Sequence, residues 1–259
     1  MKRKIPCGFA VLFSTLWLLN ATAQTTAPTA QILPKAPADV NIDGQLGEWN
    51  ETSFIYNNES KIKYIVSSDD NYLYLTANLD QRAIRQKVLG AGVTLSINTE
   101  GKKKKSFSLT YPVPVTDDNL NYMEKQHARQ THAKASGFKG VDDDMVLPDP
   151  HGFKAAFAFK DEGGMGYEVA IPLKALNMKP GTSSLNINIT INALDKPSMG
   201  GDAPATSPAG GGGRGGSRGG GGRGGSRPPS GAPGDARDDT PADLYTATEF
   251  WLTYTLPGK

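Results

Sequence analysis

The segment over residues 185–193 constrains the fold most, because its side chains alternate strictly between apolar and polar. Leu, Ile or Ala occupies every second position, with Asn or Thr between them. A period of two is typical of a β-strand with one buried face and one polar face. Related alternation recurs over residues 62–66, 72–78, 93–97, 107–111, 153–159, 167–171 and 246–256. The sequence therefore predicts an all-β protein, with one surface helix or ordered loop over residues 120–135.

Turn signals indicate how neighbouring strands are joined. Asp69, Asp70 and Asn71 form a polar turn between two of these segments, which predicts a hairpin. Four consecutive lysines, residues 102–105, stand between two others. At a hairpin tip such a run keeps a sheet edge solvated and resistant to aggregation, and the alternative is a polyanion site.

The N-terminus has the features of a secretory signal peptide over residues 1–23. A basic start at residues 2–4 precedes an apolar stretch over residues 9–19, and residues 21–23 read Ala-Thr-Ala, which fits a cleavage site. The apolar stretch is too short to cross a bilayer as a helix. We expect a secreted or periplasmic protein whose mature chain has no transmembrane segment. That chain starts with a flexible lead-in over residues 24–39, rich in Thr, Ala and Pro.

A change of composition interrupts the domain that follows. Residues 197–241 consist mainly of Gly, Arg, Ser and Pro. With almost no apolar side chains, this segment cannot offset the entropy cost of ordering, which predicts a long disordered loop. Strand-like alternation resumes after it, so we interpret it as an insertion in a single domain over residues 40–257. Four of its arginines are candidates for polyanion contact, namely Arg214, Arg218, Arg223 and Arg227.

The charge balance argues against a nucleic-acid-binding body. Without the signal peptide the chain has 25 Lys plus Arg against 26 Asp plus Glu. Setting aside the four arginines of the loop leaves the rest of the chain near −5. Domains that bind nucleic acid are typically basic. Nucleic acid is therefore an alternative only through the Gly/Arg-rich loop, and export removes the usual intracellular RNA partner.

Three short blocks carry a resemblance to a known family. They read IDGQLGEW from residue 42, DDNYLYL from residue 69 and YEVAIPL from residue 167. In this order they resemble the family 9 carbohydrate-binding modules and the related DOMON domains. The resemblance implies an antiparallel β-sandwich of the jelly-roll type that binds an extracellular glycan or another cell-envelope polymer.

Aromatic residues are the candidates for glycan contact. Sugar sites pair flat aromatic surfaces with a few hydrogen-bonding side chains. The resemblance gives Trp49 a structural position in the core, whereas Trp251 lies on the outward face of the last predicted strand. We therefore expect Trp251 to be the platform, with Tyr72 and Tyr74 assisting from the outward face of their own strand. Cross-strand packing is the alternative role for these tyrosines.

Metal and cofactor candidates are few. Asp142, Asp143 and Asp144 form the densest acidic cluster. Carboxylate oxygens suit calcium, and the resembled family often holds structural calcium ions. The spacing of known calcium loops is absent, so solvated carboxylates are the alternative. The DOMON resemblance also leaves haem binding as an alternative, with Met123, Met145, Met165, His127 and His132 as candidate ligands.

The sequence contains no recognisable catalytic constellation. Motifs of the common hydrolases, metalloproteases and nucleotide-binding enzymes are missing. The one cysteine, Cys7, lies in the predicted signal peptide. We therefore expect a binding module rather than an enzyme.

Overall fold

The computed structural model describes residues 31–115, 117, 119–161, 163–196 and 241–256. The predicted signal peptide lies outside these residues, as do residues 24–30 of the lead-in and the Gly/Arg-rich loop up to residue 240. The four arginines proposed for polyanion contact, Arg214, Arg218, Arg223 and Arg227, therefore stay predictions. None of the helices in the described ranges is long and apolar enough to cross a bilayer.

The described residues form strands and three helices. The strands are β1 (Gln31–Ile32), β2 (Ile55–Asn57), β3 (Ile62–Ser68), β4 (Tyr72–Leu79), β5 (Val93–Asn98), β6 (Phe107–Tyr111), β7 (His132–Ser136), β8 (Asp144–Val146), β9 (Lys154–Phe159), β10 (Met165–Pro172), β11 (Ser184–Ile191) and β12 (Thr248–Thr255). The helices are α1 (Arg82–Ala91), α2 (Tyr122–Thr131) and the short α3 (Pro241–Leu244), with 3₁₀ turns at Glu51–Ser53 and Leu173–Leu176. Each segment predicted to be a strand contains one, whereas α1, α3, β1, β2, β7 and β8 were not predicted.

The strands form two sheets that pack face to face. The larger sheet has seven strands in the order β1-β12-β11-β5-β6-β7-β8, and the smaller has five in the order β2-β3-β4-β10-β9. Every pairing is antiparallel except that of β1 with β12, which is parallel. The prediction of an all-β sandwich is confirmed.

Aromatic contacts show how the two sheets are aligned. The rings of Tyr64 on β3 and Phe250 on β12 lie 5.1 Å apart, and those of Tyr111 on β6 and Tyr167 on β10 lie 5.9 Å apart. Strand β12 therefore faces β3, and β6 faces β10. The seven-stranded sheet continues beyond β6 with β7 and β8, whereas the smaller sheet ends at β9.

The core between the sheets comes from the apolar positions of the alternating segments. Leu185, Ile187, Ile189 and Ile191 of β11 are all completely buried. Burying one such side chain stabilises the fold by about 1.5–3 kcal/mol. The strict alternation in the sequence thus directs one whole face of β11 into the core.

A second apolar cluster lies on the outer face of the five-stranded sheet. Residues 36–54 cross this face and cover it. The buried members of the cluster are Ala36, Trp49, Ile65, Tyr74 and Ala170, and Val40, Ile42, Leu46, Phe54 and Tyr72 pack around them. We call residues 36–54 the cover segment.

The prediction of a flexible lead-in is wrong for residues 31–36. Strand β1 pairs with β12, and the next residue, Leu33, is only 2% exposed. The backbone N–H of Ser68 then donates to the carbonyl of Pro34 at 2.9 Å, which ties this segment to β3. Contacts with distant strands order these residues, and such contacts need no periodic pattern in the segment itself.

Candidate functional site

Glu168 joins the first and third of the three sequence blocks. Its side chain is completely buried, and Oε1 accepts a hydrogen bond from Trp49 Nε1 at 2.7 Å. Oε2 accepts from the backbone N–H groups of Asp43 at 3.1 Å and Gly44 at 2.8 Å. Burial raises the pKa of this carboxyl to about 7, while the three donors favour its charged form. The carboxylate therefore holds the cover segment on the sheet.

Two glycines allow the turn at residues 43–44 to lie directly on the sheet. Gly44 has φ +82°, and a Cβ there would lie 2.4 Å from the backbone N of Ala158. A Cβ on Gly166 would lie 2.1 Å from the carbonyl oxygen of Gly44. Only glycine is compatible with such close approach of backbone to backbone. The turn is thereby placed beside the edge strand β9.

Trp49 is the largest side chain in the cover segment. It is 4% exposed, and its ring meets that of Tyr74 edge-on, with 6.0 Å between the centroids. Tyr74 Oη donates to Asp69 Oδ2 at 2.6 Å, which brings the second sequence block into the same cluster. The prediction that Trp49 is a core residue is confirmed.

A groove with a volume of about 760 Å³ runs along the edge strand β9. Its lining residues are Asn41, Ile42, Asp43, Tyr111, Gln130, Thr131, Leu147, Pro148, Lys154, Ala155, Ala156, Phe157, Ala158 and Phe159. The start of the cover segment lines one part of the groove, and the end of β6, the end of α2 and the two residues after β8 line another. The groove therefore lies at the β9 edge of the smaller sheet.

The groove combines an aromatic surface with hydrogen-bonding groups. Phe159 is 60% exposed and its ring packs edge-on against Phe157, with 6.2 Å between the centroids. Asn41, Gln130 and Lys154 line the same groove and are exposed. Amide side chains both donate and accept hydrogen bonds, and an ammonium group donates them. Such a surface suits a ligand with apolar faces and many hydroxyl groups.

The outer face of the seven-stranded sheet has a different chemistry. Hydroxyl and amide side chains occupy its outward positions and bond to one another across the strands. The pairs are Thr94–Thr110 and Ser96–Ser108, each at 2.8 Å between hydroxyl oxygens, Asn98–Ser106 at 2.8 Å and Asn186–Thr253 at 2.6 Å. Lys105 Nζ reaches this face and lies 2.5 Å from Glu249 Oε2. Lys102 Nζ also lies 3.7 Å from Glu100 Oε2, so two of the four predicted edge lysines are in ion pairs.

The structure does not bring the three predicted aromatic contacts together. Trp251 is half-buried on the outer face of the seven-stranded sheet, next to Asn188 in the pairing of β12 with β11. Tyr72 and Tyr74 belong to the cluster on the opposite outer face. Tyr74 is only 5% exposed, so its prediction as a ligand contact is wrong, because the cover segment buries its ring.

Tyr72 lies near one end of the groove. It is half-buried, and Lys154 Nζ lies 5.2 Å from the centroid of its ring. A cation over an aromatic face is attracted by the ring, so Tyr72 helps to position Lys154. Its predicted role in direct ligand contact stays a prediction, as does that of Trp251.

The prediction of a calcium site at Asp142, Asp143 and Asp144 is wrong. All three side chains are exposed, and Asp144 at the start of β8 lies 4.0 Å from Lys134 Nζ. Only Asp144 belongs to a strand, whereas Asp142 and Asp143 precede it in an irregular segment. Throughout the described residues, no three acidic, His or Cys side chains are placed to hold a metal ion.

The candidate haem ligands do not face a common space. Met145 and Met165 are buried in the core between the sheets. Met123, His127 and His132 are exposed on the surface around α2. The geometry gives the haem alternative no support.

Comparison with known proteins does not assign the chain to a family. No family model matches it, and no curated protein matches it. A solved structure of a family 9 carbohydrate-binding module from Caldicellulosiruptor kristjanssonii in complex with cellotriose has 13% identity and a TM-score of 0.35, covering 64% of this chain and 78% of that one. A structure of such a module from the same organism with glucose has 14% identity and a TM-score of 0.30, covering 64% and 80%.

Sequence reasoning missed the residues that line the groove. Phe159 ends the alternating run over residues 153–159, which marks it as an apolar position. Its exposure follows from the place of β9 at the edge of its sheet, and that place is set by the sheet order. Gln130 and Lys154 carry no local signal at all.

Proposed function

We propose that this protein is a non-catalytic module that binds carbohydrate in the groove along β9. One observation carries the proposal: the exposed ring of Phe159 and exposed amide and ammonium groups line the same concave surface. Carbohydrates present apolar ring faces and hydroxyl groups together, and protein sites for them combine aromatic surfaces with placed polar groups. The resemblance of the three sequence blocks favours the same class of ligand.

The groove is held in shape before any ligand arrives. Asn41 Nδ2 donates to Asp43 Oδ2 at 2.7 Å, and the turn that carries both residues is bonded to buried Glu168. The floor of the groove is β9, which is a strand of the packed five-stranded sheet. Binding to a pre-formed surface avoids part of the entropy cost of ordering side chains and loops.

The groove is a better candidate than the face around Trp251. On that face, many hydroxyl and amide groups are already bonded to one another, and Ser96 and Asn188 are completely buried. Groups that are bonded and buried gain little from a ligand. Trp251 therefore serves as the comparison in the test rather than as the proposed site.

With the predicted signal peptide, the proposal describes a secreted or periplasmic protein that contacts a glycan of the envelope or the surroundings. Fusing residues 1–23 to a reporter enzyme tests this part. Export of the reporter, with cleavage after residue 23, is the expected result. Retention of the uncleaved fusion inside the cell would contradict it.

The binding test uses the mature protein and a panel of soluble polysaccharides: hydroxyethylcellulose, xylan, glucomannan, laminarin and solubilised peptidoglycan. Affinity electrophoresis and titration calorimetry measure binding by the wild type, Phe159→Ala, Trp251→Ala and Tyr56→Ala. Tyr56 is the matched control, because it is a 48% exposed aromatic residue on β2, the opposite edge of the same sheet.

We expect at least one polysaccharide to bind the wild type and Phe159→Ala to weaken that binding about tenfold, equivalent to about 1.4 kcal/mol. Trp251→Ala and Tyr56→Ala should change the affinity for that polysaccharide by less than about twofold. Loss with Trp251→Ala alone would move the site to the seven-stranded sheet. Failure of every polysaccharide to bind would reject the function.

A further inference from the structure

We infer that the groove binds the interior of a linear glycan chain and does not recognise a chain end. This inference rests on the proposed function and concerns the mode of binding. It follows from the course of the groove along β9, from the exposure of its two ends and from the chemistry of its buried part.

The groove follows the whole of β9. All six residues from Lys154 to Phe159 line it, on both faces of the strand. A ligand lying on one face of a strand would meet only every second side chain. Six residues at about 3.3 Å each give a contact line of about 20 Å, which is long enough for several sugar rings in a row.

Both ends of the groove are exposed. The residues that end β9, Lys154 and Phe159, are exposed, whereas Phe157 in the inner half is buried. The start of the cover segment, the end of α2 and the residues after β8 line the groove beside the strand. A chain can therefore enter at one end of β9 and leave at the other.

In the buried part of the groove, no side chain has a free donor with which to recognise a chain end. Its buried lining residues are Tyr111, Leu147 and Phe157. Tyr111 Oη donates to the carbonyl oxygen of Gln130 at 3.1 Å, so its hydroxyl proton is already used. A site for a terminal sugar needs buried donors and acceptors at a closed end, because the hydroxyl groups there distinguish the end from the chain. The exposed polar groups of this groove lie along its rim, where they meet the edges of successive rings.

The first experiment measures stoichiometry. The mature protein is titrated with size-fractionated preparations of the panel polysaccharide that binds it. A module that binds chain interiors loads more copies onto a longer chain, so the number bound per chain should rise in proportion to chain length. A constant ratio of one protein per chain at every length would overturn the inference and leave the proposed function intact.

The second experiment uses oligosaccharides of two to six residues from the same polysaccharide, before and after borohydride reduction of the reducing end. Affinity should rise at least tenfold from the dimer to the hexamer, and reduction of the hexamer should change it less than twofold. Equal affinity for all lengths, or a tenfold loss on reduction, would indicate recognition of an end.

Variants at the two ends of β9 give an independent check. Phe159→Ala and Lys154→Ala should each weaken hexamer binding several-fold, and the effects should multiply in the double variant. A dimer cannot reach both ends of β9, so at most one of the two single substitutions should weaken its binding. Tyr56→Ala serves as the control, and melting temperatures show that the variants are folded. If neither variant affects the hexamer although the oligosaccharide binds, the ligand lies elsewhere.

Discussion

The two sheets differ in what their outer faces do. The outer face of the five-stranded sheet is apolar and lies under the cover segment, with Trp49 4% exposed. The outer face of the seven-stranded sheet is polar, and its hydroxyl and amide groups bond to one another, with Trp251 half-buried among them. Both faces come from strands with the same period of two.

Two glutamates show the same contrast in their electrostatics. Glu168 lies beneath the cover segment, and burial raises its pKa to about 7. Glu249 lies on the open face, where the hydrogen bond from Lys105 lowers its pKa. A period of two therefore identifies the two faces of a strand, but what lies on the outer face determines the chemistry of its residues.

The largest expected effect comes from the two tryptophans. Trp49→Ala should reduce the free energy of unfolding by about 3–5 kcal/mol, because it leaves a cavity in the cluster and removes a donor from buried Glu168. Trp251→Ala should cost far less, because its ring is partly exposed. Urea denaturation of both variants measures the difference. Equal losses would show that the two outer faces are equally part of the core.

The second prediction concerns the contact between the cover segment and the sheet. Gly44→Ala should destabilise the protein by about 3 kcal/mol, because alanine is strained at this positive φ and its Cβ would clash with the backbone of β9. Gly47→Ala is the matched control, because a Cβ at that position would meet no atom within 4 Å. The control should change stability by less than about 1 kcal/mol. Similar behaviour of the two variants would contradict the close contact of this turn with the sheet.

The third prediction concerns the pH dependence that Glu168 creates. Its pKa is raised from 4.5 to about 7, so the folded protein holds this proton more tightly than the unfolded chain does. Protonated Glu168 therefore contributes to the free energy of unfolding below pH 4.5. This contribution falls by up to about 3 kcal/mol as the pH rises to about 7.

Denaturation of wild type and Glu168→Gln at several pH values tests this dependence. The variant should be less stable at low pH, because its amide cannot accept from all three donors. It should also lack the decline between pH 4.5 and 7. A decline of equal size in both proteins would assign it to other groups.

The smallest expected effect belongs to the open face. Lys105→Ala removes an ion pair whose side chains are 42% and 48% exposed, so it should change stability by less than about 1 kcal/mol, with the remaining effect screened by salt. A loss above 2 kcal/mol in urea denaturation would mean that the lysine holds the polar face together. That outcome would make the two outer faces more alike than the structure indicates.

Local pattern accounts for much of the fold. The alternating segments became strands because a period of two directs one face of each into the core. The core position of Trp49 was predicted from the resemblance of the first sequence block, and the structure confirms it. Strands β7 and β8 were missed, since the first is Ala-rich and polar and the second has only three residues.

The candidate site depends on contacts between residues that are far apart in the chain. Tyr74 and Trp251 both read as outward aromatic residues, but only the cover segment decides that Tyr74 is buried. The adjacent residues Asp142, Asp143 and Asp144 are all exposed and are not placed together to hold a metal ion. Neither outcome can be predicted from the local sequence.

The sequence by itself determined that the chain folds into strands, which side chains point inward and where the turns lie, because these depend on neighbours a few residues away. The tertiary structure decided which outer face is covered and that β9 is an edge. It also decided that the start of the cover segment, the end of α2 and the residues after β8 line one groove with Phe159. Sheet order and coverage depend on the packing energy of the whole chain, and that energy is not encoded in any single segment.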